Sequence, residues 1–258
     1  MNIGADITKR ERLGVYLCIL PLIARFVLSH LFARVCLCVQ NFTVSYLLSL
    51  ALSALAWILP FGLFAAFFIR KESERATCKY KFDPWIIFFG AYFVAGIITI
   101  AYNVILAKLD YAFPSDEISC LGMVEIIGFV LSSVVLVPIA EEFAFRKVIL
   151  FNLLPTGKIA AVLISSLLFA LCHDPASYIY SFVMGIALAI ICLQRSFIYA
   201  VIIHAANNAI SCAFTLMQRF LTENAYRIIS VIRFAVVCVV GIICVAVIVK
   251  GRCSCAKK

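Results

Sequence analysis

Apolar residues run through this chain in long stretches, separated by short polar breaks. Eight such runs lie at roughly 14–40, 44–69, 84–107, 122–154, 158–173, 176–193, 197–217 and 227–249. The hydrocarbon core of a bilayer asks for about 20 apolar residues per helix. Short alternating segments, the mark of a barrel strand, do not occur. The pattern predicts an all-α, polytopic membrane protein of about eight transmembrane helices. The run 122–154 is too long for one simple crossing, and Pro138 within it predicts a break or kink. No linker divides the chain and no internal repeat is visible. Residues 1–258 are therefore expected to form a single integral membrane domain.

Composition strengthens this reading. The chain is 65% hydrophobic and 14% charged, and its mean hydropathy is +1.11. A soluble domain that apolar has nothing with which to build a water-facing surface. The N-terminal segment MNIGADITKRERLG is basic. The run behind it is too long for a cleavable signal and lacks a small-residue cleavage site, so it is expected to stay as an anchor.

The net charge of +9 has a membrane explanation. Lys9, Arg10, Arg12, Arg70, Lys71, Arg75, Lys79, Lys81, Lys158, Arg195, Lys250, Arg252, Lys257 and Lys258 fall on one side of the predicted topology. Lys108, Arg219 and Arg227 fall on the other, with Asp110, Asp116 and Glu117. The positive-inside rule then predicts both termini in the cytoplasm. The sequence shows no Gly-rich phosphate loop and no basic-aromatic stripe, so no nucleic-acid partner is expected. The 12 cysteines are scattered and form no CxxC pair, which argues against structural zinc. Most read as small apolar helix residues; Cys253 and Cys255 in the tail are candidates for acylation. No cofactor or metal is expected.

Ionisable residues inside apolar spans are costly and are functional hypotheses by default. In PIAEEFAFRKVIL (residues 138–150), Glu142 and Arg146 stand four apart and share a helix face, which predicts an ion pair. Glu141 points about 100° away from that pair. A carboxylate kept from bulk water there suits a general base. Glu141 lies before the turn at Pro155–Lys158 and His173 after it. At about 1.5 Å per residue, both fall roughly 21–23 Å from that turn. His204 and Asn208 lie about 12 and 18 Å beyond the turn at Gln194–Ser196 on one helix face. Phe169 is one turn before His173. Each residue also has a structural reading: a helix–helix hydrogen bond for a histidine, a glue pair for Glu142–Arg146, packing for Phe169. The cluster holds two of the three histidines, and that coincidence favours chemistry. His30, with Arg25 and Arg34, has no assignment. Asp174 is expected to mark the membrane boundary, and Asn103 and Glu125 are read as structural.

These residues form three short motifs: EEFAFR at 141–146, FALCH at 169–173 and HAANN at 204–208. They resemble, in order and placement, the EExxxR, FxxxH and HxxxN motifs of the CPBP family, the CAAX proteases and bacteriocin-processing enzymes also called Abi. The resemblance covers about residues 120–215. It implies an intramembrane glutamate endopeptidase. On that basis Glu141 would activate water with help from His173. His204 and Asn208 would stabilise the oxyanion, and Glu142 and Arg146 would hold the first motif in place. The implied partners are a peptide or membrane-protein substrate and the bilayer itself. One departure is Lys147, where many members carry Gly; a second cation there can snorkel toward water. Three rival readings remain open at this point. A metal-dependent protease would use Glu141, His173 and His204 as ligands, although no HExxH is present. A non-catalytic immunity or scaffold protein would keep the cluster as glue. A transporter would relay protons through it.

Overall fold

The computed structural model describes residues 9–68, 82–113 and 120–256, with side chains from residue 13 to residue 251 within them. Every long element is a helix, and no strand occurs among the described residues. Among the described residues, seven helices are long and apolar enough to cross a bilayer. The eighth predicted span is the short helix α8 (Lys158–Leu171, 14 residues). At about 1.5 Å per residue it reaches only about 21 Å, short of a core about 30 Å thick. It stops early because Asp174, which precedes Pro175, is extended at ψ 143°; a residue before proline is pushed out of the helical region. His173 therefore lies beyond the end of α8 rather than on it.

Large apolar side chains such as Leu63, Phe67, Ile198, Val231 and Ile242 are exposed. Glu142, Arg146, Asn152, Ser165 and Ser166 are fully buried. That inversion is what lipid as solvent demands, and the chain is an integral, multi-pass membrane protein. Of the residues invoked for topology, Arg70, Lys71, Arg75, Lys79, Lys81, Asp116, Glu117, Lys257 and Lys258 lie outside the described residues. The side chains of Lys9, Arg10, Arg12, Arg252, Cys253 and Cys255 do as well.

The chain divides into two compact units: residues 1–74 with 121–165, and residues 75–120 with 166–258. In the first, α1 (Lys9–Leu17), α2 (Leu20–Leu37) and α3 (Phe42–Phe68) accompany the helical run Met123–Thr156. α2 packs on α3. Arg25 of α2 places its guanidinium 4.1 Å from the centroid of the Trp57 ring on α3, a cation–π contact that explains a charge in the first span. Trp57 in turn meets Phe145 edge-on at 5.4 Å. The hydroxyl of Thr43 donates to Glu125, tying the start of α3 to α5 (Met123–Leu131) and giving Glu125 the structural role expected of it. His30 turns back on its own helix, with Nδ1 2.9 Å from the Phe26 carbonyl.

Pro138 does not break the fourth run. The helix continues through α6 (Val137–Glu142), and the turn before it, Ser132–Leu136, is π-helical. Proline lacks the N–H for an i−4 bond and its ring crowds that carbonyl. A wider turn absorbs the misfit. A second π-helical stretch, Phe143–Leu150, follows α6 and leads into α7 (Phe151–Leu153).

In the second unit α4 (Pro84–Lys108) packs against both α9 (Tyr178–Gln194) and α11 (Glu223–Ala256), and α10 (Phe197–Phe220) lies along α9. Asp83 starts α4, accepting a 2.9 Å hydrogen bond from the Trp85 N–H, with Pro84 at the first helical position, where its missing donor costs nothing. α4 ends in a left-handed Asp110 (φ 54°). Tyr111 N–H returns to Leu106 O and Asp110 N–H to Ala107 O, a Schellman closure. This turn lets the Tyr111 hydroxyl donate to the Asp174 carboxylate at 3.0 Å. Partial desolvation, then this bond, hold the Tyr111 phenol above its ordinary value.

The α4–α11 contact depends on Gly241. A Cβ there would sit 2.1 Å from the Cβ of Phe93, a distance no rotamer change relieves. Gly96 on the same helix as Phe93 has nothing within 4 Å of its own Cβ position. Gly241→Ala is expected to cost about 1–3 kcal/mol by overpacking. Gly96→Ala should be neutral or slightly stabilising through helix propensity. Thermal unfolding of the two variants in the same detergent checks the contrast; equal midpoints would show that α11 does not approach α4 this closely.

Candidate functional site

Glu141 and Glu142 close α6, and both are buried. Arg146 Nε donates to Glu142 Oε2 at 2.9 Å, with both side chains fully excluded from solvent. The predicted i, i+4 ion pair is therefore present and desolvated. A charge-assisted bond of this kind is about twice as strong as a neutral one. It binds Glu142 in place, while Glu141 leaves the helix at a different azimuth and is 7% exposed. Ala140, Ala144, Phe145 and Val148 are buried around the same turns. The helix widens to π form directly after Glu142, a local geometry that recurs at functional sites.

The other predicted residues belong to the second unit. Phe169 is its anchor. Its ring centroid lies 4.6 Å from that of His173 and meets the ring of His204 edge-on at 5.7 Å. The packing expected of Phe169 is thus packing against the rings of both histidines. Gly185 of α9 allows this: a Cβ there would stand 3.1 Å from Ser166 Cβ and 3.3 Å from the Phe169 ring. His173 Nδ1 lies 2.8 Å from the Phe169 carbonyl oxygen. A carbonyl only accepts, so Nδ1 carries the proton and Nε2 of the neutral ring is the acceptor.

His204 is 4% exposed on α10. One turn on, Asn208 Oδ1 accepts from Asn207 Nδ2 at 3.3 Å, which makes Nδ2 the donor end of the Asn208 amide. Asn207 is itself held by the Tyr180 hydroxyl of α9, which donates to its Oδ1. Tyr180 and Asn207 thus orient the motif asparagine, and the motif spacing alone does not select them. The adjacent asparagines in HAANN were the available signal. A further charge lies within an apolar span: Arg233 of α11 sits 4.0 Å from the Phe214 ring centroid. With Tyr92, Thr99 and Tyr180 it lines a cavity of about 220 Å³.

The fold and these buried polar groups define a polytopic helical membrane protein with ionisable and amide side chains held inside its apolar spans. Residues 123–210 match the family model described as Rce1-like, type II CAAX prenyl endopeptidase Rce1-like. The matched stretch is about a third of the chain and contains all three motifs. It supports a membrane endopeptidase of the CAAX-protease type in general. No curated protein and no solved structure matches the chain.

Proposed function

We propose that the protein is a glutamate-dependent endopeptidase that cleaves peptides or membrane-protein segments at the bilayer. The observation that carries this reading is the match over residues 123–210, within which EEFAFR, FALCH and HAANN stand in order. The buried Glu142–Arg146 bond supports a division of labour between the adjacent glutamates.

In the proposed reaction the Glu141 carboxylate takes a proton from water, and the hydroxide formed attacks the scissile carbonyl carbon. His173, with Nε2 as acceptor, assists in holding that water. Negative charge develops on the carbonyl oxygen, and N–H donors of His204 and Asn208 stabilise it. The C–N bond then breaks, and the departing amine takes the proton held by Glu141. Both termini are assigned to the cytoplasm on the charge asymmetry of the loops.

The test compares peptide termini in membranes containing the wild-type chain and membranes containing Glu141→Gln at equal abundance, each with and without a metal chelator. New termini that require Glu141 and survive the chelator support the proposal. Loss with the chelator alone would turn the reading to a metal-dependent protease. Identical termini in a host that bears substrates would turn it to a non-catalytic membrane protein.

A further inference from the structure

In the second unit, α4, α9 and α11 do not close on one another along their whole length. They leave a crevice of about 260 Å³ lined by side chains such as Ile87, Val94, Val183, Ile190 and Val245. Its one polar lining residue is Gln194, at the end of α9. That end is well defined. Gln194 Oε1 accepts from the Phe82 N–H at 3.2 Å, and a Cβ at Gly251 of α11 would lie 2.9 Å from the Phe82 ring. The start of α4, the end of α9 and the end of α11 therefore meet around Phe82.

Arg195, which follows Gln194, reaches this meeting point through the Phe82 carbonyl. Lys250 is exposed and lies in the chain between Val249, which lines the crevice, and Gly251, which faces Phe82. The Arg195 side chain makes one hydrogen bond among the described residues, from Nη2 to the Phe82 carbonyl at 3.4 Å. A guanidinium has five N–H donors, so most of its capacity is unspent. Asp83, the residue after Phe82, turns Oδ1 to the Trp85 N–H as the cap of α4. An apolar crevice between membrane helices, ending in unspent basic groups, has the polarity of an amphiphile with an anionic head.

We propose that this crevice binds one anionic glycerophospholipid of the surrounding bilayer, with an acyl chain between α4, α9 and α11 and its phosphate at Arg195 and Lys250. The bound chain fills the gap that α9 leaves, and α9 is the helix whose Gly185 and Tyr180 hold Phe169 and Asn207. The site stands whether or not the protein is a peptidase.

The experiment is native mass spectrometry of the delipidated full chain offered phosphatidylglycerol and phosphatidylcholine with matched acyl chains. Wild type is expected to retain one phosphatidylglycerol per chain, several-fold over phosphatidylcholine. Inorganic phosphate at the same concentration should not displace it, because it lacks the acyl chain. Arg195→Gln with Lys250→Gln should bring phosphatidylglycerol down to the phosphatidylcholine level. Ala91→Phe, which fills the crevice, should lose both lipids. The double substitution lies at the rim and leaves the packing of α4, α9 and α11 intact, so it decides the matter if Ala91→Phe does not fold. Equal retention of the two lipids by wild type, or a preference unchanged in the double variant, would overturn the proposal.

Discussion

Glu141→Gln is expected to lower peptide cleavage by about 10²–10⁴-fold, the usual worth of a positioned general base. Glutamine keeps the volume and shape of the side chain and removes the group that accepts the water's proton. Glu141 is buried, so a change of size would perturb packing, and the isosteric choice isolates the chemistry. The neighbouring Glu142→Gln supplies the comparison. It weakens the buried bond to Arg146 and should lower thermal stability together with activity. Glu141→Gln keeps the side-chain volume and opens no cavity, so it is expected to cost less stability than Glu142→Gln. Cleavage by wild type should persist in a chelator. If Glu141→Gln retains full cleavage while Glu142→Gln loses it without loss of stability, the roles of the two glutamates are reversed. Cleavage is read as appearance of new peptide termini, and stability as a melt in the same detergent.

Much of the architecture is legible because hydrocarbon imposes a length. Runs such as 44–69 and 84–107 reappear as α3 and α4 to within a few residues. The failures occur where local backbone chemistry competes with hydropathy. The run 158–173 looks like a span, yet the Asp174–Pro175 pair ends its helix at Leu171. Pro138 predicts a break or kink; the helix continues past it with a π-helical turn at Ser132–Leu136 directly before, and hydropathy holds no signal for that turn. The Glu142–Arg146 bond was legible from i, i+4 spacing alone. Tyr180 on Asn207 was not, because it depends on which faces of α9 and α10 meet. Arg233 is visible in sequence as a charge in an apolar run. Its partner Phe214 belongs to another helix, and no periodicity links them.

Arg146→Met is expected to destabilise the protein by about 3–5 kcal/mol, the penalty for leaving a buried ion without its partner. Methionine fills most of the space and tolerates irregular packing, so the loss is not mainly a cavity. It comes from the Glu142 carboxylate, which is fully buried and loses the 2.9 Å bond from Nε. Adding Glu142→Gln to Arg146→Met removes the stranded charge and should recover a large part of the loss. A positive coupling of that kind in a double-mutant cycle is the signature of a pair acting as a unit. Arg146→Lys should fall between, since an ammonium keeps the charge without the planar fork. Activity should follow a different order from stability. Below its unfolding midpoint the double variant would carry, one residue after Glu141, a neutral amide without the bond from Arg146. Its cleavage should stay well below wild type although much of its stability has returned. A double variant that regains both together would show that Arg146 stabilises the helix without positioning Glu141. An Arg146→Met cost under about 1 kcal/mol, the level of an exposed pair, would show that the pair is solvated and that the glutamates do not divide their tasks in this way.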